Sequence, residues 1–175
     1  MYPTFGSTVR SLREPDVPVR FLARLFPIEE AVKKGTIIMN WLSDAAQAQT
    51  WPEIVPLSTK DKALYFSHGF SVVYEQDTKV VLPKDVDVIL CAPKGSGVTV
   101  RTMFEEGRGI NASVAVWQDT SGNAQEKAVA LGVGIGAGYM YQTTFEKEVY
   151  SDLFGERGVI GCNFNIRGTS SLLMI

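Results

Sequence analysis

An α/β fold built on a parallel sheet is what this sequence predicts, and three features predict it. Three apolar runs of strand length, Thr36 to Leu42, Ala63 to Phe66 and Val86 to Cys91, read as strands covered on both faces. Segments of helical character separate them, the alternation expected of strand-helix-strand units. Each run also ends in a polar loop: Ser43-Asp44-Ala45-Ala46-Gln47, Ser67-His68-Gly69 and Ala92-Pro93-Lys94. Ligands of open α/β sheets collect beyond the carboxyl ends of the strands, so these loops are where function is expected.

Ile28 to Lys34 reads as a short amphipathic helix closed by Gly35, with lysines at the end where the helix dipole favours them. After the three strands come a helix around Val98 to Glu106, a strand around Ala112 to Trp117, a helix around Gln125 to Ile135 and a short strand from Tyr139 to Gln142. The last helix starts at Thr143 or Thr144. Thr143 with Glu146 three residues on fits a capping box, and the helix is expected to run through Glu156. Beyond Arg157 the character changes: Val159 to Ile175 carries one charge, Arg167, and no helical or alternating period.

Length and composition narrow the function classes. With 175 residues, 45% of them hydrophobic, the chain is of single-domain size. Seventeen basic residues against nineteen acidic ones leave no excess for holding phosphate backbones, so a small-molecule partner is expected rather than nucleic acid. No apolar run reaches the roughly 20 residues that span a bilayer, so no membrane partner is expected. Two isolated cysteines, Cys91 and Cys162, make neither a disulfide framework nor a zinc site. Arg10, Arg13, Arg20 and Arg24 hint at a mitochondrial transit peptide, but Glu14, Asp16 and three prolines among the first 26 residues count against one.

The chemistry is concentrated in Ser151-Asp152-Leu153-Phe154-Gly155-Glu156-Arg157. Two carboxylates four apart on a helix share a face and can share a divalent cation. His68 is the only histidine, and Lys94 sits on the glycine-rich turn Lys94-Gly95-Ser96-Gly97. Taken singly, each has a bland reading: an acidic pair is commonly a solvated helix face, and a lone histidine or lysine a surface group. Arg101 and Arg108 read as solvated or paired charges. Gly132-Val133-Gly134-Ile135-Gly136-Ala137 fits the loose dinucleotide fingerprint but follows a helix and precedes a strand, the reverse of the required context, so its glycines are assigned to packing.

From about Leu25 to Arg157 the chain resembles the ketol-acid reductoisomerases, most of all the fungal mitochondrial form. The resemblance rests on five segments in family order: Asn40-Trp41-Leu42-Ser43-Asp44-Ala45-Ala46-Gln47, Tyr65-Phe66-Ser67-His68-Gly69-Phe70, Ala92-Pro93-Lys94-Gly95-Ser96-Gly97, Glu106-Gly107-Arg108-Gly109-Ile110-Asn111 and Ser151 to Arg157. It implies Mg²⁺-dependent alkyl migration in 2-acetolactate, or its ethyl homologue 2-aceto-2-hydroxybutyrate, followed by reduction with NADPH. It also implies a homo-oligomeric parent enzyme in mitochondria. By the same resemblance Asp152 and Glu156 are metal ligands in a two-ion site. His68 and Lys94 are catalytic groups beside it, and Ser43, Asp44, Ala45, Ala46 and Gln47 line the cofactor.

The resemblance makes the fold a partial Rossmann-like parallel sheet with flanking helices, followed by the first helix of a truncated all-α domain. Residues 1–24 are then an atypical, poorly ordered leader, 25–142 the later part of the cofactor domain, 143–157 the first metal-binding helix and 158–175 an aberrant tail. The strand and glycine-rich turn with which the family's cofactor domain opens are not found in 1–24. The isolated chain is therefore expected to be inactive. The alternatives are a non-catalytic remnant or interaction module of the same fold, or a different dehydrogenase on that fold.

Overall fold

The computed structural model describes residues 26–160. The expected leader and the expected tail beyond residue 160 lie outside the described residues.

Helix α1 (Ile28–Lys34) forms where the pattern places it, with Glu29–Lys33 and Glu30–Lys34 ion pairs of 2.6 Å along its exposed side. Lys62 Nζ donates to the carbonyls of Val32 and Lys33 at its negative end, at 2.9 and 3.1 Å. Strands β1 (Ile37–Asn40), β2 (Ala63–Phe66) and β3 (Asp87–Pro93) are parallel neighbours. Helix α2 (Asp44–Ile54) connects the first two, and α3 (Phe70–Val73) with α4 (Glu75–Thr78) connects the second to the third.

The apolar runs lack alternation because both faces of the sheet are covered. Leu64, Phe66, Val88 and Leu90 point into one core with Val32, Trp51 and Ile54. Ala63, Tyr65, Ile89 and Cys91 point into the other with Ala124 and Ala128 of α6 (Ala124–Gly134). At roughly 25 cal/mol per Å² of apolar surface, these two cores dominate the stability of the sheet.

One strand pair departs from the expected parallel order. The sheet runs β1-β2-β3-β4-β5, and β4 (Ala112–Gln118) is antiparallel to β3, with Pro93 opposite Ala112. The intervening helix α5 (Gly97–Glu105) buries none of its residues. A parallel crossover needs a helix packed on the sheet. Here the chain turns back at the end from which β3 left. Strand β5 (Met140–Gln142) pairs parallel to β4. Of the glycines ahead of it, Gly132 and Gly136 are packing positions, where a Cβ would lie 2.3 Å from Met140 Sδ and 2.4 Å from Phe104 Cδ2, whereas one on Gly134 would meet nothing within 4 Å.

Helix α7 (Phe145–Leu153) begins after Thr144, as expected, but ends short of Glu156. Its cap is Thr144, whose hydroxyl accepts from Lys147 N at 3.3 Å, so the Thr143 and Glu146 box is not used. The α-helix stops at Leu153, and Phe154–Ile160 is a π-helical turn. Among the described residues no helix is long and apolar enough to cross a membrane.

Candidate functional site

The carboxyl ends of β2 and β3 and the amino end of β4 meet at one edge of the sheet, and α7 lies across it. Gly69 permits the approach: a Cβ there would lie 2.8 Å from Phe145 Cδ1 and 3.1 Å from Val149 Cγ2. Any larger residue would push α7 away from the loop that carries His68.

His68 Nδ1 lies 3.1 Å from Asp152 Oδ2, with both side chains part-buried. The hydrogen bond that His68 donates to Asp152 raises the His68 pKa above its ordinary value despite the opposing effect of burial, and the charges of Asp152, Asp44 and Glu148 push the same way. The same bond, helped by the charges of His68 and Lys94, lowers the Asp152 pKa against the effect of burial. The imidazole also lies parallel to the Phe70 ring, with the ring centroids 6.2 Å apart.

Lys94 pairs with Glu148, whose side chain is 2% exposed, and the other oxygen of that carboxylate accepts from the fully buried Ser113 hydroxyl. Glu148 and Ser113 escaped the sequence reading. Glu148 had a usable signal, because it precedes Asp152 by four residues on the same helix and therefore shares its face. Ser113 had none, since its place opposite Ala92 follows from the antiparallel register of β4.

The Ser43 to Gln47 loop forms the start of α2. Ser43 caps it without a side-chain hydrogen bond, so the first amides of the helix are not closed by their own cap. Asp44 Oδ1 accepts from Ser71 Oγ at 3.1 Å, and Gln47 Nε2 donates to Leu42 O at 2.8 Å. Gln47 Oε1 is buried without a partner among the described residues. Ala45 is exposed and Ala46 half-buried, so neither closes off this turn.

Of the residues singled out from sequence, Asp152 lies within electrostatic reach of His68 and Lys94, and His68 within that of Asp44. Glu156 is exposed on the π-helical turn, with no ion pair among the described residues. Arg101 and Arg108 pair with Glu105 and Glu106, as expected of surface charges. Among the described residues no group of three His, Cys, Asp or Glu side chains is arranged to hold a metal ion.

With this geometry in place, comparison with known proteins is specific. Residues 23–140 match the family model described as acetohydroxy acid isomeroreductase, NADPH-binding domain. The chain is 69% identical over 136 residues to the probable mitochondrial ketol-acid reductoisomerase of Schizosaccharomyces pombe. It is 68% identical over 136 residues to the mitochondrial enzyme of Neurospora crassa. Each alignment covers 78% of this chain and 34% of the relative, so the chain spans about a third of the length of these curated relatives. Among solved structures, an NADH-preferring ketol-acid reductoisomerase from an uncultured archean superposes with a TM-score of 0.73 at 39% identity, covering 77% of this chain and 41% of that one.

Proposed function

The chain belongs to the ketol-acid reductoisomerase family, and on that premise we propose that it is the nicotinamide-binding portion of such an enzyme, about residues 25–142, with the first helix of its metal site. The reaction of the whole protein is Mg²⁺-dependent alkyl migration in 2-acetolactate or 2-aceto-2-hydroxybutyrate, then reduction of the new ketone by NADPH, on the route to valine, leucine and isoleucine. The observation that supports this best is the convergence of the His68–Asp152 and Lys94–Glu148 pairs beyond the carboxyl ends of β2 and β3. The fungal relatives, mitochondrial by name, support a mitochondrial protein. Its proposed partner is a small keto acid, not nucleic acid or membrane. A homo-oligomer is the expected state of the whole enzyme.

Each side chain has a distinct task. Lys94 offers an ammonium to an anionic substrate, and Glu148 with Ser113 keeps that ammonium in place. His68 is fixed through Nδ1 by Asp152, which leaves Nε2 to give or take a proton directly or through water. The open first turn of α2 and the unpartnered Gln47 Oε1 fit a ligand with both acceptor and donor groups, as a nicotinamide dinucleotide has.

Asp152 supplies the hard oxygen that Mg²⁺ requires, and Glu156 is the proposed second ligand. Bound there, the ion would act as a Lewis acid on substrate oxygens. Two carboxylates hold Mg²⁺ weakly because it retains most of its water, which is why the isolated chain is expected to be inactive.

Replacing the counterpart of residues 26–157 in the Neurospora crassa enzyme by this segment tests the reading. The chimera should oxidise NADPH with 2-acetolactate and Mg²⁺, while the isolated chain should not. A folded but inert chimera, or steady turnover by the isolated chain, would overturn it.

A further inference from the structure

Ser71 is fully buried on α3, and its hydroxyl reaches another element: Ser71 Oγ donates to Asp44 Oδ1 at 3.1 Å, across 27 residues of chain. The serine is itself well fixed. Its neighbour Val72 lies in the core with Phe66 and Leu90, and Thr78 Oγ1 donates to Ser71 O at 2.8 Å. Asp44 is the first residue of α2, and Ser71 follows His68 by three residues. This one bond therefore joins the turn after β1 to the turn after β2, the first carrying the proposed cofactor residues and the second the histidine.

Asp44 has nearer donors that it leaves alone. Ser43 makes no side-chain cap, and the bond from Gln47 N to Ser43 O, at 2.8 Å, is where the ladder of α2 begins. The amides of Asp44, Ala45 and Ala46 come before it and are the orphan donors of a helix start. A first-turn carboxylate is drawn to such amides by hydrogen bonding and by the positive end of the helix dipole. The Asp44 bond leads the other way, to Ser71. A hydroxyl bonded to a charged acceptor is a strong tether.

We propose that Ser71 is a positioning residue for dinucleotide binding: by holding Asp44 Oδ1 it keeps that carboxylate off the first-turn amides of α2, which stay open to acceptor groups of the ligand. This rests on the reading of residues 43–47 as the nicotinamide dinucleotide site and adds how that site is kept accessible. Ser71 touches no ligand and acts only through Asp44. Without its hydroxyl the carboxylate closes on its own helix, and the ligand meets a negative charge and occupied donors.

Water-exchange NMR on the full chain tests the hold on Asp44 with no ligand present. In the native chain the Ala45 and Ala46 amides should exchange near the free-peptide rate; in Ser71→Ala they should slow by about fivefold or more, while the Gln47 amide stays as it was. Adding Asp44→Ala to Ser71→Ala should restore the fast rate. Fluorescence titration of NADPH into the chimera carrying residues 26–157 tests the consequence. Ser71→Ala should raise Kd about tenfold where Asp44 is present and by less than about twofold in the Asp44→Ala background. A merely structural role for Ser71 would give the same factor in both. Ser71→Cys, close in shape but a far weaker donor, should match Ser71→Ala and replaces it should the alanine variant fail to fold. Unchanged exchange in the Ser71 variants, or an equal loss of affinity in both Asp44 backgrounds, would overturn the proposal. A native chimera that does not bind NADPH would overturn the reading of the 43–47 turn and the binding role with it, and the exchange rates separate that failure from a failure of Ser71 to hold Asp44.

Discussion

Two buried carboxylates lie at opposite ends of the β3–β4 pair, and each faces one lysine. Asp87, at the start of β3, is 1% exposed and pairs with Lys127 at 2.6 Å; Glu148, over the other end, is 2% exposed and pairs with Lys94. Their surroundings differ. Asp87 also accepts from Thr120 N and Oγ1, at 2.8 and 3.1 Å, and from Ser121 N and Oγ, at 3.0 and 2.6 Å. Burial alone would raise its pKa, but the bonds from Lys127, Ser121 and Thr120 outweigh burial and hold it well below the ordinary carboxylate range. Among the described residues Glu148 accepts only from Lys94 and Ser113, with a second acid and the histidine close by. A carboxylate with its oxygens saturated by the chain pins the fold. One with capacity to spare, among other titratable groups beyond the strand ends, is the one available to chemistry on the proposed reading.

The largest effect should come from the saturated end. Asp87→Ala leaves Lys127 and the 120–121 turn without their acceptor, and urea denaturation should show a loss of about 3–5 kcal/mol. Glu148→Gln keeps the shape of its side chain and its bond to Ser113, and should cost about 1 kcal/mol or less by the same measurement. A Glu148→Gln loss as large as that of Asp87→Ala would erase the distinction between the two ends.

Activity should reverse the order. In the chimera, His68→Gln or Asp152→Asn should lower kcat by about 10²–10⁴-fold, the usual contribution of a positioned acid or base. Gly69→Ala sharpens the point from the packing side: the added methyl meets Phe145 and Val149, and should cost about 1–3 kcal/mol while separating His68 from Asp152. Retained turnover in His68→Gln would remove the histidine from the mechanism.

How much of this was legible in the sequence differs between the two ends. The apolar runs gave β2 to the residue and the other strands within a few positions, because burial on both faces leaves a direct trace in composition. His68, Lys94 and Asp44 were found because strand ends announce themselves by a switch from apolar to polar residues. The reversed direction of β4 was not legible, since it depends on α5 failing to pack, a property of tertiary contact. The Asp87 anchor was invisible for a related reason: its hydroxyl and amide donors lie 33 and 34 residues away, and no local spacing links them. The end of the last α-helix at Leu153, short of Glu156, was not legible, because no residue type in Phe154 to Arg157 marks the change to a π-helical turn.

The smallest effect is a titration. Because the Asp152 hydrogen bond raises the His68 pKa, the imidazole resonances should titrate with a midpoint above 6.5, and Asp152→Asn should move that midpoint down. The sign for stability follows from linkage. A histidine whose folded pKa is raised contributes stability that is fully present below about 6.5, its unfolded value, and that fades as pH rises through the folded one. Asp152, whose pKa is lowered, contributes above its unfolded value near 3.8, and that contribution is lost as pH falls through the folded value. The pair therefore helps most between those two limits, and only modestly because both side chains are part-exposed. The Asp87 contribution has the acid sign alone, and with its pKa held well below the ordinary range it should persist to lower pH than that of Asp152. A pH series of urea midpoints for the native chain and Asp152→Asn should differ between about pH 4 and pH 6.5 and converge above the folded His68 value; curves that stay parallel throughout would mean that histidine and aspartate do not interact.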